Sequence, residues 1–141
     1  MSENEAYNLQ RFVAAQKPVF DQVCSELRRG RKTSHWMWFI FPQIKGLGRS
    51  PMAENYAIAS LAEAQAYLQH PILGSRLKSC TQLVVDVPER SAFEIFGTPD
   101  DLKFCSSMTL FAHATPDNEI FLQALRKYFA GGFDPLTLQR L

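Results

Sequence analysis

The apolar residues of this chain recur mostly at helical spacing. Phe20, Val23, Cys24 and Leu27 stand at positions i, i+3, i+4 and i+7, and Gly30 follows them as a typical C-terminal stop. This spacing predicts a helix over about residues 18–29, with a shorter helix near residues 9–16 before it. No segment alternates apolar and polar residues in the manner of a half-buried strand, and no hairpin dipeptide such as Asn-Gly occurs.

Helix-capping residues mark most of the other predicted helix starts. Thr98, Thr115 and Asp134 each directly precede a proline, which suits the first turn of a helix. Ser60 and Ser91 each have a glutamate three residues later, which is the spacing of a capping box. These signals, with Pro71 as a further start, predict helices over about 61–69, 71–85, 92–96, 99–113, 116–130 and 135–140.

The stretch from Lys32 to Pro51, KTSHWMWFIFPQIKGLGRSP, is ambiguous between strand and helix. Its residues would suit a buried strand, but Ser34 is a good N-cap, Pro42 is a good stop, and no partner strand is evident nearby. We interpret it as a short, wholly buried helix, followed by a loop and by a helix over 52–56. The fold class is therefore all-α: a compact multihelical single domain over 1–141, of about eight short helices, with 1–7 a disordered tail.

The composition places the chain among ordinary globular proteins. It has 141 residues, of which 46% are hydrophobic and 21% charged, and its net charge is +1, so only local patches can steer a charged partner. The N-terminus MSENEAYNLQRF lacks the apolar run of a secretory signal, and no later run reaches the length of a membrane span. The three cysteines, Cys24, Cys80 and Cys105, form no CxxC pair, so we expect reduced thiols and a cytoplasmic location. We also expect no membrane association, no metal and no cofactor.

Positive charge is concentrated in one segment. Between Glu26 and Glu54 there is no acidic residue, whereas six of the 15 basic residues lie there: Arg28, Arg29, Arg31, Lys32, Lys45 and Arg49. Two interpretations stay open, a solvated loop after a helix C-terminus and a positive surface patch.

The loop KGLGRSP combines backbone freedom with positive charge. Gly46 and Gly48 can expose backbone amides, Arg49 adds a guanidinium, and Ser50 with Pro51 can open a helix. Such a loop can hold a phosphate or another anion. It matches neither GxGxxG nor GxxxxGK[ST], so a plain glycine turn is the alternative.

Side chains with a polar end are unusually frequent in the aromatic stretch. Four of them carry a group that needs a hydrogen-bond partner: His35, Trp36, Trp38 and Gln43. They are either satisfied core residues or the edge of a pocket, and a pocket edge satisfies them more easily.

A third cluster lies on the helix predicted over 99–113. Phe104, Met108 and Phe111 share its core face, whereas Lys103, Ser106 and Ser107 share an adjoining face. One ammonium and two hydroxyls can hold a phosphate or carboxylate. Alternatively, the serines bond back to their own helix.

Known catalytic templates are absent. The chain has no GxSxG elbow and no HExxH motif, and its three histidines have no metal-ligand spacing with the cysteines. Whether the protein is an enzyme stays open; His35 and Lys103 are the candidate catalytic residues.

Four segments of the chain carry a family resemblance: SHWMWFIFPQIKGLGRSP, AIASLAEAQAYLQHPILGSRL, IFGTPDDLKFCSSMTLF and GGFDPLTL. They resemble the family of unknown function DUF1810, which comprises small bacterial and fungal proteins. The resemblance extends over about residues 9–138 and implies an all-helical fold. It supplies no reaction. Some members bear the label calpastatin, but an inhibitor of that kind would be a disordered polar repeat. The family pattern emphasises the same clusters and implies one shared site, with these ligand-binding residues: His35, Trp36, Trp38, Gln43, Gly46, Gly48, Arg49, Ser50, Lys103, Ser106 and Ser107.

The predicted function is binding, with or without processing, of a small anionic, nucleotide-like molecule in one polar and aromatic pocket. Two alternatives stay open. The segment from Arg28 to Arg49 would make a nucleic-acid-binding module, which the near-neutral pI argues against, and an exposed part of Trp36 to Phe41 would make a protein-interaction module. The sequence leaves the oligomeric state undetermined.

Overall fold

Ten helices make up the regular structure of the computed structural model, which describes residues 6–141. They are α1 (Gln10–Gln16), α2 (Phe20–Arg28), α3 (Met37–Ile40), α4 (Pro51–Asn55), α5 (Leu61–Gln69), α6 (Leu73–Val85), α7 (Ala92–Phe96), α8 (Asp100–Ala114), α9 (Glu119–Phe129) and α10 (Pro135–Leu138). No β-strand occurs in residues 6–141, so the predicted all-α class is confirmed, and each of these helices falls on a segment that was predicted to be helical. The predicted disordered tail falls mainly on residues 1–5, which lie outside the described residues; Tyr7 is partly buried and packs against the core.

Four predicted caps form as expected. The hydroxyls of Ser50 and Ser60 and the carboxylate of Asp134 each accept a hydrogen bond from the backbone N–H three residues later, at 3.1 Å, 3.1 Å and 3.2 Å. Ser91 and Glu94 form a complete capping box. These bonds satisfy helix N–H groups that have no partner within the helix, so they fix where α4, α5, α7 and α10 begin.

Three predicted helix starts are wrong by one to three residues. Thr98 does not cap α8, which begins at Asp100 after Pro99. The Thr115 hydroxyl accepts from the amide of Asp117 in a local turn at 3.2 Å, and α9 begins only at Glu119. The helix expected from Pro71 begins at Leu73, because the ring nitrogen Nδ1 of His70 accepts hydrogen bonds from the backbone amides of Ile72 and Leu73.

The aromatic helix also starts later than predicted, and a buried carboxylate is the reason. Ser34 is not an N-cap: its amide and hydroxyl both donate to Glu26, at 2.9 Å and 2.6 Å, so α3 begins at Met37. Glu26 is fully buried and also accepts from the amide of Thr33 and from the indole of Trp36. The helix is not wholly buried either, since Trp38 is half-buried.

Helix α8 lies at the centre of the fold. It packs against α5, α7, α9 and α10. Phe104 of α8 meets the ring of Phe41 edge-on, with centroids 4.9 Å apart, and stacks on Phe96 at 4.8 Å. Because Phe41 directly follows α3, this aromatic contact holds the end of the aromatic stretch against the first turns of α8.

The glycine loop after α3 is fixed at both ends. Lys45 donates its amide to Ile58, and Ile58 donates to Gln43, both at 2.8 Å, which forms an isolated parallel bridge between residues 44 and 58. Ser50 then caps α4. The loop therefore has a defined path beside the N-terminal half of α8.

Candidate ligand-binding site

A groove of about 580 Å³ lies between the glycine loop, the N-terminal half of α8 and the segment that joins α9 to α10. Most of its walls are apolar, and its volume suits a small organic ligand. The residues that line it are Gln43, Leu47, Gly48, Pro99, Leu102, Lys103, Cys105, Ser106, Phe129, Gly132, Phe133, Asp134, Pro135 and Leu136. Three of its apolar side chains are well exposed: Leu102 at 61%, Leu136 at 58% and Phe133 at 40%.

Among residues 6–141, Lys103 is the one cationic side chain that lines this groove. Its Nζ lies 6.0 Å from the ring centroid of Trp38 and 3.7 Å from Oδ1 of Asp100. The other oxygen of Asp100 makes a closer ion pair with Lys32, at 2.9 Å. Since Asp100 is shared between two lysines, the ammonium of Lys103 retains attraction for a further anion.

A water-sized niche adjoins the groove. Trp38, Gln43, Gly48 and Lys103 are among the residues that line it, and its free volume is about 10 Å³, room for roughly one water. Gln43, Gly48 and Lys103 line both the niche and the groove. A Cβ on Gly48 would come within 2.5 Å of the Ala53 side chain, so the tight wall requires glycine there. The predicted clusters around Trp38, Gly48 and Lys103 therefore do meet.

Ser106 and Ser107 of α8 have different surroundings in the structure. Ser106 donates to the carboxylate of Asp134 at 2.8 Å, and the same carboxylate accepts the amide and hydroxyl of Thr137. Ser107 is completely buried, and its hydroxyl has no hydrogen-bond partner among the described residues. Neither serine presents a donor to the groove, and the Asp134 carboxylate repels anions at that end.

The glycine loop contributes Leu47 and Gly48 to the groove, but not Arg49 or Ser50. Ser50 caps α4, a helix of only five residues, and Arg49 is exposed without lining the groove. Gly46 has a φ of +100°, and the guanidinium of Arg140 covers it so closely that a Cβ would lie 2.3 Å from Nη1. Gly46 allows a left-handed backbone and Gly48 allows tight packing, which agrees with the alternative prediction of a plain glycine turn.

Two other predicted site residues lie away from the groove. His35 is exposed and lines neither the groove nor the niche. Trp36 is 1% exposed, and its indole N–H donates to Glu26 at 3.0 Å, which makes it a satisfied core residue. The two candidate catalytic residues, His35 and Lys103, therefore do not share a cavity.

Sequence reasoning missed most of the apolar wall. Leu47, Leu102, Phe133 and Leu136 were not singled out, and Asp134 was identified only as a helix cap. The segment GGFDPLTL contained a signal for this wall. It places apolar side chains on both sides of a helix cap and a proline, where a chain usually turns at the surface.

Cys105 gives the groove a chemical reporter. Its side chain lines the groove and is partly exposed. Burial, helped by the nearby Asp134 carboxylate and opposed by a hydrogen bond with Thr109, raises the pKa of its thiol to about 11. The thiol is therefore a slow nucleophile at neutral pH.

The basic segment is divided among different surfaces. Arg28 lines a cavity with Arg76, Arg31 lines another with Arg90, and Lys45 lines a third with Glu54. Lys32 lines the same cavity as Arg31, and its side chain, 9% exposed, pairs with Asp100. Apart from this pair, the basic residues of the segment do not converge on one cavity of the described chain.

Residues 6–141 contain neither a candidate metal site nor a candidate membrane-spanning helix. No group of three or more His, Cys, Asp and Glu side chains is placed there to hold a metal ion. None of the helices in that range is long and apolar enough to cross a membrane.

Over residues 6–141 the protein is all-helical, and Lys103 stands at the wall of a largely apolar groove. The chain belongs to the family described as protein of unknown function (DUF1810), whose family model matches residues 6–141. Among solved structures it is similar to the conserved hypothetical protein Rv1873 from Mycobacterium tuberculosis, at 60% identity and a TM-score of 0.96, over 96% of this chain and 97% of that chain. No protein with a curated description matches the chain.

Proposed function

We propose that the groove binds a small amphipathic molecule with an apolar or aromatic body and one acidic group. The supporting observation is that Gln43 and Lys103 stand together at the wall of a groove whose remaining lining is largely apolar. The acidic group would meet the Lys103 ammonium beside the Trp38 ring, and the body would lie on Leu102 and Leu136. Burial of those exposed side chains would supply much of the binding free energy.

The charge balance favours a single acid over a polyphosphate. Lys103 is the one cation that lines the groove, and Asp134 is an acid that lines it. The hydroxyl of Ser106 already bonds Asp134. A nucleotide with several phosphates would leave most of its negative charge without a partner, so we narrow the nucleotide-like expectation to ligands with one carboxylate, sulfonate or monoester phosphate.

The proposal is one of binding without an assigned reaction. The Asp134 carboxylate already accepts three hydrogen bonds, from Ser106 and twice from Thr137, all at Oδ2. These bonds hold the start of α10, so we assign Asp134 a structural role.

A second candidate function uses the same groove for the apolar side chains of a partner peptide. The exposure of Leu102 and Leu136 at the rim favours it. The interaction surface first expected at Trp36 to Phe41 is not favoured, because all of these residues except Trp38 are buried. Nucleic-acid binding is not favoured either, since the basic residues from Arg28 to Arg49 are divided among three cavities, one with Arg28, one with Arg31 and Lys32, and one with Lys45.

Fluorescence titration with anilinonaphthalene sulfonate (ANS) tests the proposed function, because this probe has an aromatic body and one sulfonate. We expect one saturable site, and we expect Lys103→Met to weaken the binding by about tenfold, which corresponds to the loss of one charge-assisted contact. Leu136→Asn removes apolar area from the rim and should weaken binding by a similar factor.

Matched controls separate this site from unspecific binding. Lys78→Met removes an exposed lysine of α6, and Ile72→Asn replaces an apolar side chain that is 41% exposed elsewhere. Both should leave the ANS affinity within about twofold of the parent. Equal weakening by the site and control variants contradicts the proposal, as does binding at many weak sites. An intact near-UV circular dichroism spectrum confirms that the probe reports a native groove.

A further inference from the structure

A second cavity, of about 450 Å³, lies between α2 and α6. It shares no lining residue with the groove around Lys103. Two guanidiniums, those of Arg28 and Arg76, line it, and none of the described residues that line it has a carboxylate. Neither arginine forms a salt bridge within residues 6–141.

Arg76 is held in place from two sides. Its guanidinium lies over the ring of Phe20, with 5.0 Å from Cζ to the centroid, and Nη1 donates to Oε1 of Gln16 at 3.3 Å. Gln16 is itself buried, because its amide donates to the carbonyl of Phe39 and to the hydroxyl of Tyr67. A guanidinium has five N–H donors, and this anchoring uses one of them, so the others remain available in a fixed orientation.

Hydroxyl groups stand beside the guanidiniums. Ser75 and Ser79 lie on one face of α6 at i and i+4 and line the cavity. Both are exposed, and neither hydroxyl has a hydrogen-bond partner among the described residues. Gln82 also lines the cavity, but its amide donates to Asp86 at 2.8 Å and is engaged there.

The floor of the cavity includes the thiol of Cys24, which lies in the field of both arginines. Burial raises the pKa of this thiol, and the charges of Arg28 and Arg76 oppose that rise. Asp21, one turn earlier on α2, is the acid that acts on Cys24. It does not line the cavity.

We propose that the α2–α6 cavity binds a phosphate monoester of a small polar molecule. Two guanidiniums match the double negative charge of such a phosphate, and Arg76 can donate to it through its fork while Arg28 supplies the second charge. Ser75 and Ser79 would donate to the remaining oxygens. Five of the eight residues that line this cavity are polar, against four of the fourteen that line the groove around Lys103, which favours a hydroxylated ligand body over an apolar one.

Isothermal titration calorimetry with glycerol 3-phosphate, inorganic phosphate and glycerol tests this site. We expect one site for each phosphate compound, with a dissociation constant below about 1 mM, and none for glycerol. Arg28→Met and Arg76→Met should each weaken binding about tenfold, whereas Arg29→Met, at the exposed neighbour of Arg28, should change it less than about twofold. Lys103→Met should have no effect.

Two further measurements separate phosphate binding from the packing of Arg76 on Phe20. Arg76→Lys keeps the charge but loses the fork, so its affinity should lie between those of the parent and Arg76→Met. Bound glycerol 3-phosphate should also slow alkylation of Cys24, measured by peptide mass spectrometry, without slowing that of Cys105. Absence of saturable binding would overturn the proposal, and so would an Arg29→Met variant that weakens it as much as Arg28→Met.

Discussion

Glu26→Gln should lower the free energy of unfolding by about 3 kcal/mol and the melting temperature by roughly 10 °C. Burial by itself raises the pKa of the Glu26 carboxyl, but hydrogen bonds from Ser34, Thr33, Gln22 and Trp36 outweigh it and lower the pKa to about 2. A pKa that falls from 4.5 to about 2 on folding means that the ionised carboxylate stabilises the native state. Glutamine keeps the size of the side chain but turns an N–H₂ group toward N–H and O–H donors.

The pH dependence has a defined sign. Because the pKa of Glu26 is lower in the folded state, its contribution is complete above the unfolded value of 4.5 and is lost as the pH falls toward about 2. Urea unfolding at a series of pH values should therefore show a steeper acid loss for the parent than for Glu26→Gln. Glu54→Gln, at an exposed glutamate of α4, serves as the control and should change stability by less than about 0.5 kcal/mol. Equal stabilities of parent and Glu26→Gln at neutral pH would contradict this role of Glu26.

Gly74→Ala is the second substitution with a large expected effect. Gly74 is buried in the first turn of α6, and a Cβ there would lie 2.1 Å from the carbonyl oxygen of Leu68. The obstacle is the backbone of α5, which cannot rotate away, so α5 and α6 would have to separate. We expect a loss of about 3 kcal/mol, the upper part of the range for overpacking.

Chemical unfolding of Gly74→Ala beside Gly132→Ala checks this expectation. A Cβ at Gly132 would have its nearest atom at 3.3 Å, a tight but adjustable contact, so its loss should be less than about 1 kcal/mol. If the two variants are equally stable, the close approach of α5 and α6 at Gly74 is not what limits the packing there.

The local signals in the sequence predicted the fold class well. A capping box such as Ser91 with Glu94 is decided by residues within one turn, so its chemistry is visible in the sequence. The starts at Thr98 and Thr115 were wrong because a threonine before a proline also fits a turn, and the choice depends on tertiary contacts. Likewise, three of the partners of Glu26, namely Thr33, Ser34 and Trp36, lie in the loop that follows α2, and their convergence requires the folded chain.

The candidate site was predictable only in part. Gln43, Gly48 and Lys103 were singled out from their residue types and from the family resemblance, and they line one groove. The apolar wall escaped prediction because a leucine in an amphipathic helix is expected to face the core, whereas Leu102 is largely exposed. Trp36 is satisfied by Glu26, whose approach spacing cannot reveal. Ser106 bonds both the carbonyl of Leu102 in its own helix, as the alternative from spacing expected, and the distant carboxylate of Asp134.

The central claim is that the groove around Lys103 binds an amphipathic acid, and the alkylation rate of Cys105 tests it most directly. Cys105 lines this groove, whereas Cys24 lines the α2–α6 cavity, so the two thiols report on separate sites in one sample. With ANS present at saturation, iodoacetamide should modify Cys105 at least about fivefold more slowly and Cys24 at its original rate, because the bound probe covers one thiol. Bound ANS that leaves the Cys105 rate unchanged, or that slows Cys24 instead, would contradict the account.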